Sequence, residues 1–113
     1  MVHTRYRIAI VESDELIRQL IARWLGDAGH QVVNSGADVD LVIADVSGRC
    51  HAAARIRSIK TACAGRVLVI SASFQRDPGQ PDLVRQLGVH AVLPKPFTRA
   101  ELRAAIAQAM REN

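Results

Sequence analysis

Leu41–Asp45 (LVIAD) and Arg66–Ser71 (RVLVIS) decide the fold of this 113-residue chain. Both runs are short, rich in β-branched residues and apolar at nearly every position. A strand with one wet face would alternate instead, so these runs suit strands buried on both faces, as in a parallel sheet. Arg7–Val11 (RIAIV) reads the same way, and residues 31–34 (QVVN) and 90–93 (HAVL) are weaker candidates. Stretches of helical spacing lie between them. Leu16, Ile17, Leu20, Ile21, Trp24 and Leu25 recur at three- and four-residue steps, with Arg18, Gln19 and Arg23 on the other side. That spacing assigns Trp24 to the core. Thr98-Arg99-Ala100-Glu101 has the pattern of a capping box, opening a helix whose apolar stripe is Leu102, Ala105, Ile106, Ala109 and Met110. Residues 51–60 make another helix, and Pro81 and Gly88 bracket a further short one.

Strand and helix alternate, which predicts an α/β domain of about five strands and four or five helices with right-handed crossovers. The length suits one domain, 1–113, with no room for an output domain. A hydrophobic fraction of 49% and a charged fraction of 23% are those of a globular protein rather than a disordered tail. No apolar run approaches the ~20 residues that span a bilayer, and the start, MVHTRYR, lacks a signal peptide's apolar core. Cys50 and Cys63 are too few for a disulfide scaffold and show no CxxC spacing, so a cytoplasmic address is expected. The net charge of +4 invites a nucleic-acid role, but thirteen of the fifteen basic residues are scattered arginines, with no run of three. Only one Trp, one Tyr and two Phe are present to stack on bases. Nucleic acid is therefore not the expected partner. His3, His30, His51 and His90 have no metal-ligand spacing and are given no chemistry.

Ligands of open parallel sheets bind outside the carboxyl ends of the strands. The first strand runs into Glu12-Ser13-Asp14-Glu15, the third ends on Asp45, the fourth on Ser71, and the fifth runs into Pro94-Lys95-Pro96-Phe97. Two carboxylates, a hydroxyl and an ammonium group thus converge on one end of the sheet. A carboxylate can accept a phosphoryl group covalently. Acidic oxygens beside it suit Mg²⁺, and a hydroxyl and a lysine suit phosphoryl oxygens as charge develops. Asp14 and Glu15 read first as residues of a helix's opening turn, favoured there by its dipole.

Four blocks in order, IAIVESDELIR, DLVIAD, VLVISAS and AVLPKPFTRAEL, resemble the signature segments of the response-regulator receiver domain, and the resemblance runs from about Tyr6 to Met110. It implies a doubly wound, flavodoxin-like parallel sheet of order 2-1-3-4-5. It also implies that Asp45 is the aspartate phosphorylated by a sensor histidine kinase or phosphotransferase, Ser71 the switch hydroxyl and Lys95 the phosphate-contacting lysine. The same resemblance places Mg²⁺ on Glu12, on Asp45, on the backbone carbonyl of Ser47 and, weakly, on Ser13. The family commonly has a cis bond where this chain has Lys95-Pro96. An X–Pro bond is where cis costs only ~0.5–1 kcal/mol.

Three departures make the chain an atypical member of that pattern. The family carries two adjacent acids after the first strand; here the pair is Glu12-Ser13, so the site is one formal charge short and Mg²⁺ binding is expected to be weakened. Asp14 could act through a water, although it belongs to the helix start. The aromatic residue expected three positions before Lys95 is Val92. Finally, only seven residues separate Val33 from Leu41, where the family has a whole second helix. Returning along a ~17 Å strand and across two ~4.8 Å spacings needs about 19 Å, and seven extended residues reach roughly 23–25 Å. The second helix is therefore expected to be missing or vestigial, leaving one sheet face under-covered and open to a partner or to self-association as a homodimer.

Two functions follow. The first is a stand-alone phosphoryl-accepting receiver, not an enzyme beyond its own aspartyl phosphorylation and dephosphorylation, which signals by docking to a kinase or phosphotransferase and to a downstream protein target. The second is a pseudo-receiver that binds proteins without phosphorylation. Asp45, Ser71 and Lys95 favour the first; Ser13 and Val92 favour the second. A flavodoxin-like nucleotide binder is disfavoured, because Glu12 and Glu15 would repel phosphate where a glycine-rich loop is needed. A DxD phosphatase fails at Asp45-Val46-Ser47, and no helix carries the clustered basic residues of a DNA reader.

Overall fold

Arg7–Val11, Leu41–Asp45 and Arg66–Ser71 form parallel strands because each has apolar residues for both faces of a sheet, and two shorter runs flank them at its edges. In a computed structural model, which describes residues 5–34, 38–46, 52–62, 65–72 and 82–111, the strands are β1 (Arg7–Val11), β2 (Gln31–Val33), β3 (Leu41–Asp45), β4 (Arg66–Ser71) and β5 (Ala91–Pro94). The helices are α1 (Glu15–Asp27), α2 (Ala52–Ala62), α3 (Asp82–Leu87) and α4 (Arg99–Ala109). The sheet order is β2-β1-β3-β4-β5, all parallel, as expected. No described helix is long and apolar enough to cross a membrane.

The two sheet faces are packed differently. Ile8, Leu41, Ile43, Leu68, Ile70 and Leu93 face α1 and α4, and meet Ile21, Leu25, Leu102, Ala105, Ile106 and Ala109. Ala9, Val42, Ala44, Val67 and Val69 face the other way, with Ile56 and Ile59 of α2 and with Val89. Strands β1 and β3 thus present large side chains to one face and small ones to the other.

That asymmetry bears on the short link. Among the described residues no helix lies between β2 and β3, as the length arithmetic required. The under-covered face expected to accompany its loss is limited to its margin, where Val11 and Val33 are only partly buried. Ala9, Val42 and Ala44 are each 1% exposed or less, and Val39 of the link itself is buried among them. Small strand residues need little cover, and one valine supplies part of it. The link is also stitched in: Arg7 and Asp40 exchange two hydrogen bonds of 2.8 Å, and the Asp40 carbonyl accepts the Arg66 N–H. Gly65 stands against this stitch. A Cβ at that position would lie 2.6 Å from the Val39 carbonyl oxygen.

Helix ends follow local chemistry. Asp14 caps α1, its carboxylate accepting the N–H groups of Leu16 and Ile17. The capping box at Thr98 and Glu101 forms with both reciprocal bonds. Gly88, at φ +67°, closes α3 with the Val89 N–H donating to the Val84 carbonyl. Pro81, expected at its first turn, lies outside the described residues. The α1 stripe divides, since Ile21 and Leu25 are buried while Leu16 and Leu20 face outward. Trp24 is half-buried against the core, its ring edge-on to Phe97 at 6.3 Å.

Two histidines hold the outer strands. His30, just before β2, accepts the Tyr6 N–H on Nδ1 at 3.2 Å; His90, just before β5, accepts the Val67 N–H on Nδ1 at 3.1 Å. Burial lowers the pKa of both below the ordinary 6.5, and for His90 the charges of Arg66 and Lys60 add to it. A protonated Nδ1 cannot accept. The unfolded chain therefore binds more protons than the folded one below 6.5, so this part of the stability is complete above pH 6.5 and is lost as pH falls through the lowered folded values. Denaturant titrations between pH 7.5 and pH 5 are expected to show stability falling with pH in that window. The combined His30→Gln and His90→Gln variant should show a flatter profile; an unchanged slope would contradict the assignment.

Candidate functional site

The carboxyl ends of β1, β3, β4 and β5 bring four side chains to one place. Glu12 follows β1 and is buried, with 1% of its side chain exposed. Asp45 ends β3 and Lys95 follows β5, their side chains 17% and 15% exposed. The Lys95 ammonium bridges them, 2.5 Å from Glu12 Oε1 and 3.0 Å from Asp45 Oδ1. Burial alone would lower the Lys95 pKa, but the hydrogen bonds and charges of Glu12 and Asp45 outweigh it and hold the pKa above its usual 10.5. The other Glu12 oxygen accepts the Asp14 N–H at 3.1 Å.

The backbone fixes these positions. Ser71 pairs in register with Pro94, and its carbonyl accepts the Lys95 N–H at 3.0 Å. Val46, one residue past Asp45, donates to the Ile70 carbonyl on the neighbouring strand. The Lys95-Pro96 peptide bond is cis, as the resemblance implied. Ser71 is fully buried at the end of β4. The structure thus gathers Glu12, Asp45, Ser71 and Lys95 at the carboxyl ends of the strands. Ser13 is exposed beside them, Asp14 is engaged in capping α1, and Ser47 lies outside the described residues. Val92 is half-buried in the second core cluster.

The carboxylate oxygens of Glu12 and Asp45 are hard donors of the type Mg²⁺ takes. Ser13, next to Glu12, adds no charge to the pair, and Lys95 already engages an oxygen of each acid. Among the described residues no group of three or more His, Cys, Asp or Glu side chains is placed to hold a metal ion.

Beside the ionic group lies an apolar groove of about 310 Å³, formed by Ile17, Leu20, Ala72, Pro96 and Phe97 with Lys95 at its edge. Leu16, 79% exposed, stands on the same helix. The sequence spacing of α1 gave no sign of it, because period alone cannot say which part of a wide stripe the sheet has room to cover.

The class this architecture defines is the receiver fold of response regulators. The chain is similar to a response regulator from Thermotoga maritima (TM-score 0.73, 19% identity, covering 95% of this chain and 98% of that one). It is also similar to the BeF3-activated N-terminal receiver domain of Klebsiella pneumoniae RstA (TM-score 0.68, 20% identity, 96% and 100% covered). A third likeness is to the chemotaxis protein CheY4 of Vibrio cholerae (TM-score 0.65, 21% identity, 94% and 99% covered). No protein-family model matches the chain, and no curated protein matches it. The likeness is one of fold.

Proposed function

We propose that this chain is a receiver module of two-component signalling that accepts a phosphoryl group on Asp45 from a sensor histidine kinase or phosphotransferase. The observation that carries the reading is the Lys95 ammonium 3.0 Å from Asp45 Oδ1, in a fold similar to that of receiver domains. An Asp45 oxygen attacks phosphorus and the P–N bond of the donor phosphohistidine breaks. The released imidazole nitrogen keeps the electron pair and takes a proton from water, and Asp45 becomes an acyl phosphate. Lys95 and the Ser71 hydroxyl bind the phosphoryl oxygens as charge shifts onto them. The groove beside Lys95, with Leu16 and Leu20, offers apolar surface to a protein partner. Incubation with acetyl phosphate and Mg²⁺ followed by intact-protein mass is expected to show one phosphoryl adduct, absent from Asp45→Asn. No adduct on the wild type would overturn the reading.

Mg²⁺ would be held by Glu12 and Asp45, and when bound it supplies charge neutralisation at the phosphoryl group. With Ser13 in place of an acid the affinity is low. Ser13→Asp is expected to tighten Mg²⁺ or Mn²⁺ binding about tenfold or more, the scale of one added anionic ligand, as read by calorimetry. An unchanged affinity would show that Ser13 is not the deficit.

Ser13 also favours a second reading, a pseudo-receiver whose Glu12–Lys95–Asp45 group is a fixed ionic core and whose signal is protein binding alone. It predicts no adduct on the wild type and an adduct on Ser13→Asp.

A further inference from the structure

On the α1–α4 face, near the residues that lead into β1 and β2, a cleft of about 220 Å³ opens between the two helices. Its walls are the rings of Tyr6, Trp24 and His30 and the aliphatic side chains of Leu25, Leu102 and Ile106, and Ala28, Arg103 and Ala107 also line it. Tyr6 and His30 stack at 5.3 Å with their planes 17° apart. The polar groups in this lining are nearly all donors. His30 uses Nδ1 to accept the Tyr6 N–H, so its neutral ring carries the proton on Nε2. The indole of Trp24 can only donate, and Arg103 carries five donors and a fixed charge. Among the described residues no carboxylate lines the cleft and Arg103 has no ion-pair partner. Arg99, one turn earlier on α4, is paired with Asp27 instead.

We propose that this cleft binds a small planar aromatic carboxylate, its ring against Tyr6, Trp24 and His30 and its carboxylate on Arg103. Aromatic walls reward a flat ring, and a donor-rich rim beside an arginine rewards an anion with two acceptor oxygens. Sites for larger molecules run about 300–1,000 Å³, so the volume here suits one ring. An open site and a ligand of about nine heavy atoms imply a Kd on the order of 1 mM.

Trp24 is the chain's one tryptophan, so its fluorescence reports on the cleft directly. The probes are benzoate, with benzamide for the ring without the charge and acetate for the charge without the ring. Benzoate is expected to change Trp24 emission saturably, with benzamide and acetate several-fold weaker. Arg103→Gln, at an exposed position, should bring benzoate down to the level of benzamide. Ala107→Phe, also exposed, should fill the cleft and abolish the response. The proposal is overturned if benzoate gives no saturable change, if benzamide binds as tightly, or if neither substitution alters the response. Phosphoryl transfer to Asp45 is read by mass, so either result can fail without the other.

Discussion

Lys95→Met is expected to destabilise the protein by about 3–5 kcal/mol, the usual cost of removing one partner from a buried ion pair. The magnitude follows from Glu12 more than from Asp45. With 1% of its side chain exposed, Glu12 cannot recover water when its counter-charge is removed, and among the described residues its second oxygen accepts only the Asp14 N–H. Methionine keeps most of the length and apolar volume of lysine, so the loss is one of charge rather than of packing. In a domain of this size the melting temperature should fall by about 12–20 °C. The double variant Glu12→Gln, Lys95→Met should regain a substantial part of that loss, because the uncompensated charge is then gone. Lys95 also sets a limit at high pH. Its folded pKa is raised above the ordinary 10.5, so its contribution is complete below that value and is lost as pH rises through the folded one. Thermal and chemical denaturation check both statements. A single-variant loss under about 1 kcal/mol would mean that the bridge is solvent-screened like a surface pair.

Gly65→Ala is expected to cost about 2–3 kcal/mol through overpacking against main chain. An added Cβ would lie 2.6 Å from the Val39 carbonyl oxygen and 2.9 Å from the Asp40 carbonyl carbon. Neither atom can swing aside as a side-chain tip would. Moving them disturbs the bonds that Asp40 makes with Arg7 and Arg66, and with them the pairing of β1, β3 and β4. Gly26, in an open surface position, is the control: nothing lies within 4 Å of its Cβ site. Gly26→Ala should leave stability unchanged or raise it slightly. Equal effects of the two alanines would contradict the close approach.

Much of this was legible in residue order. The strands announce themselves because a doubly buried strand has no polar position to confuse its period, and Thr98 and Glu101 mark a helix start through chemistry that is local. The short link could be judged by length alone, since seven residues cannot hold a crossover helix and still reach β3. What it would leave exposed could not, because cover depends on side-chain size across three strands, and Ala9 and Ala44 need little. The assembly of Glu12, Asp45, Ser71 and Lys95 followed from the rule that parallel strands gather their carboxyl ends. The depth of Glu12 and the bridging by Lys95 did not, being matters of side-chain geometry. The spacing of His30 and His90 along the chain says nothing of their role, because neither fits a metal-ligand pattern. Their shared place, one residue before an edge strand, was the better signal, and it marks acceptors for backbone N–H groups on the neighbouring strand. Arg66 likewise reaches the carbonyls of Ala109 and Arg111 at the end of α4, a contact that spans 43 residues and leaves no local trace.

Asp45, with Lys95 beside it, is the residue proposed to take the phosphoryl group. Borohydride reduction after treatment with a small phosphodonor tests this most directly, because an acyl phosphate is reduced to an alcohol while a free carboxylate is not. Peptide mass mapping is expected to find homoserine at position 45 in the treated protein and aspartate there in the untreated one. Homoserine at another acid, such as Asp14 or Asp40, or at none, would contradict it.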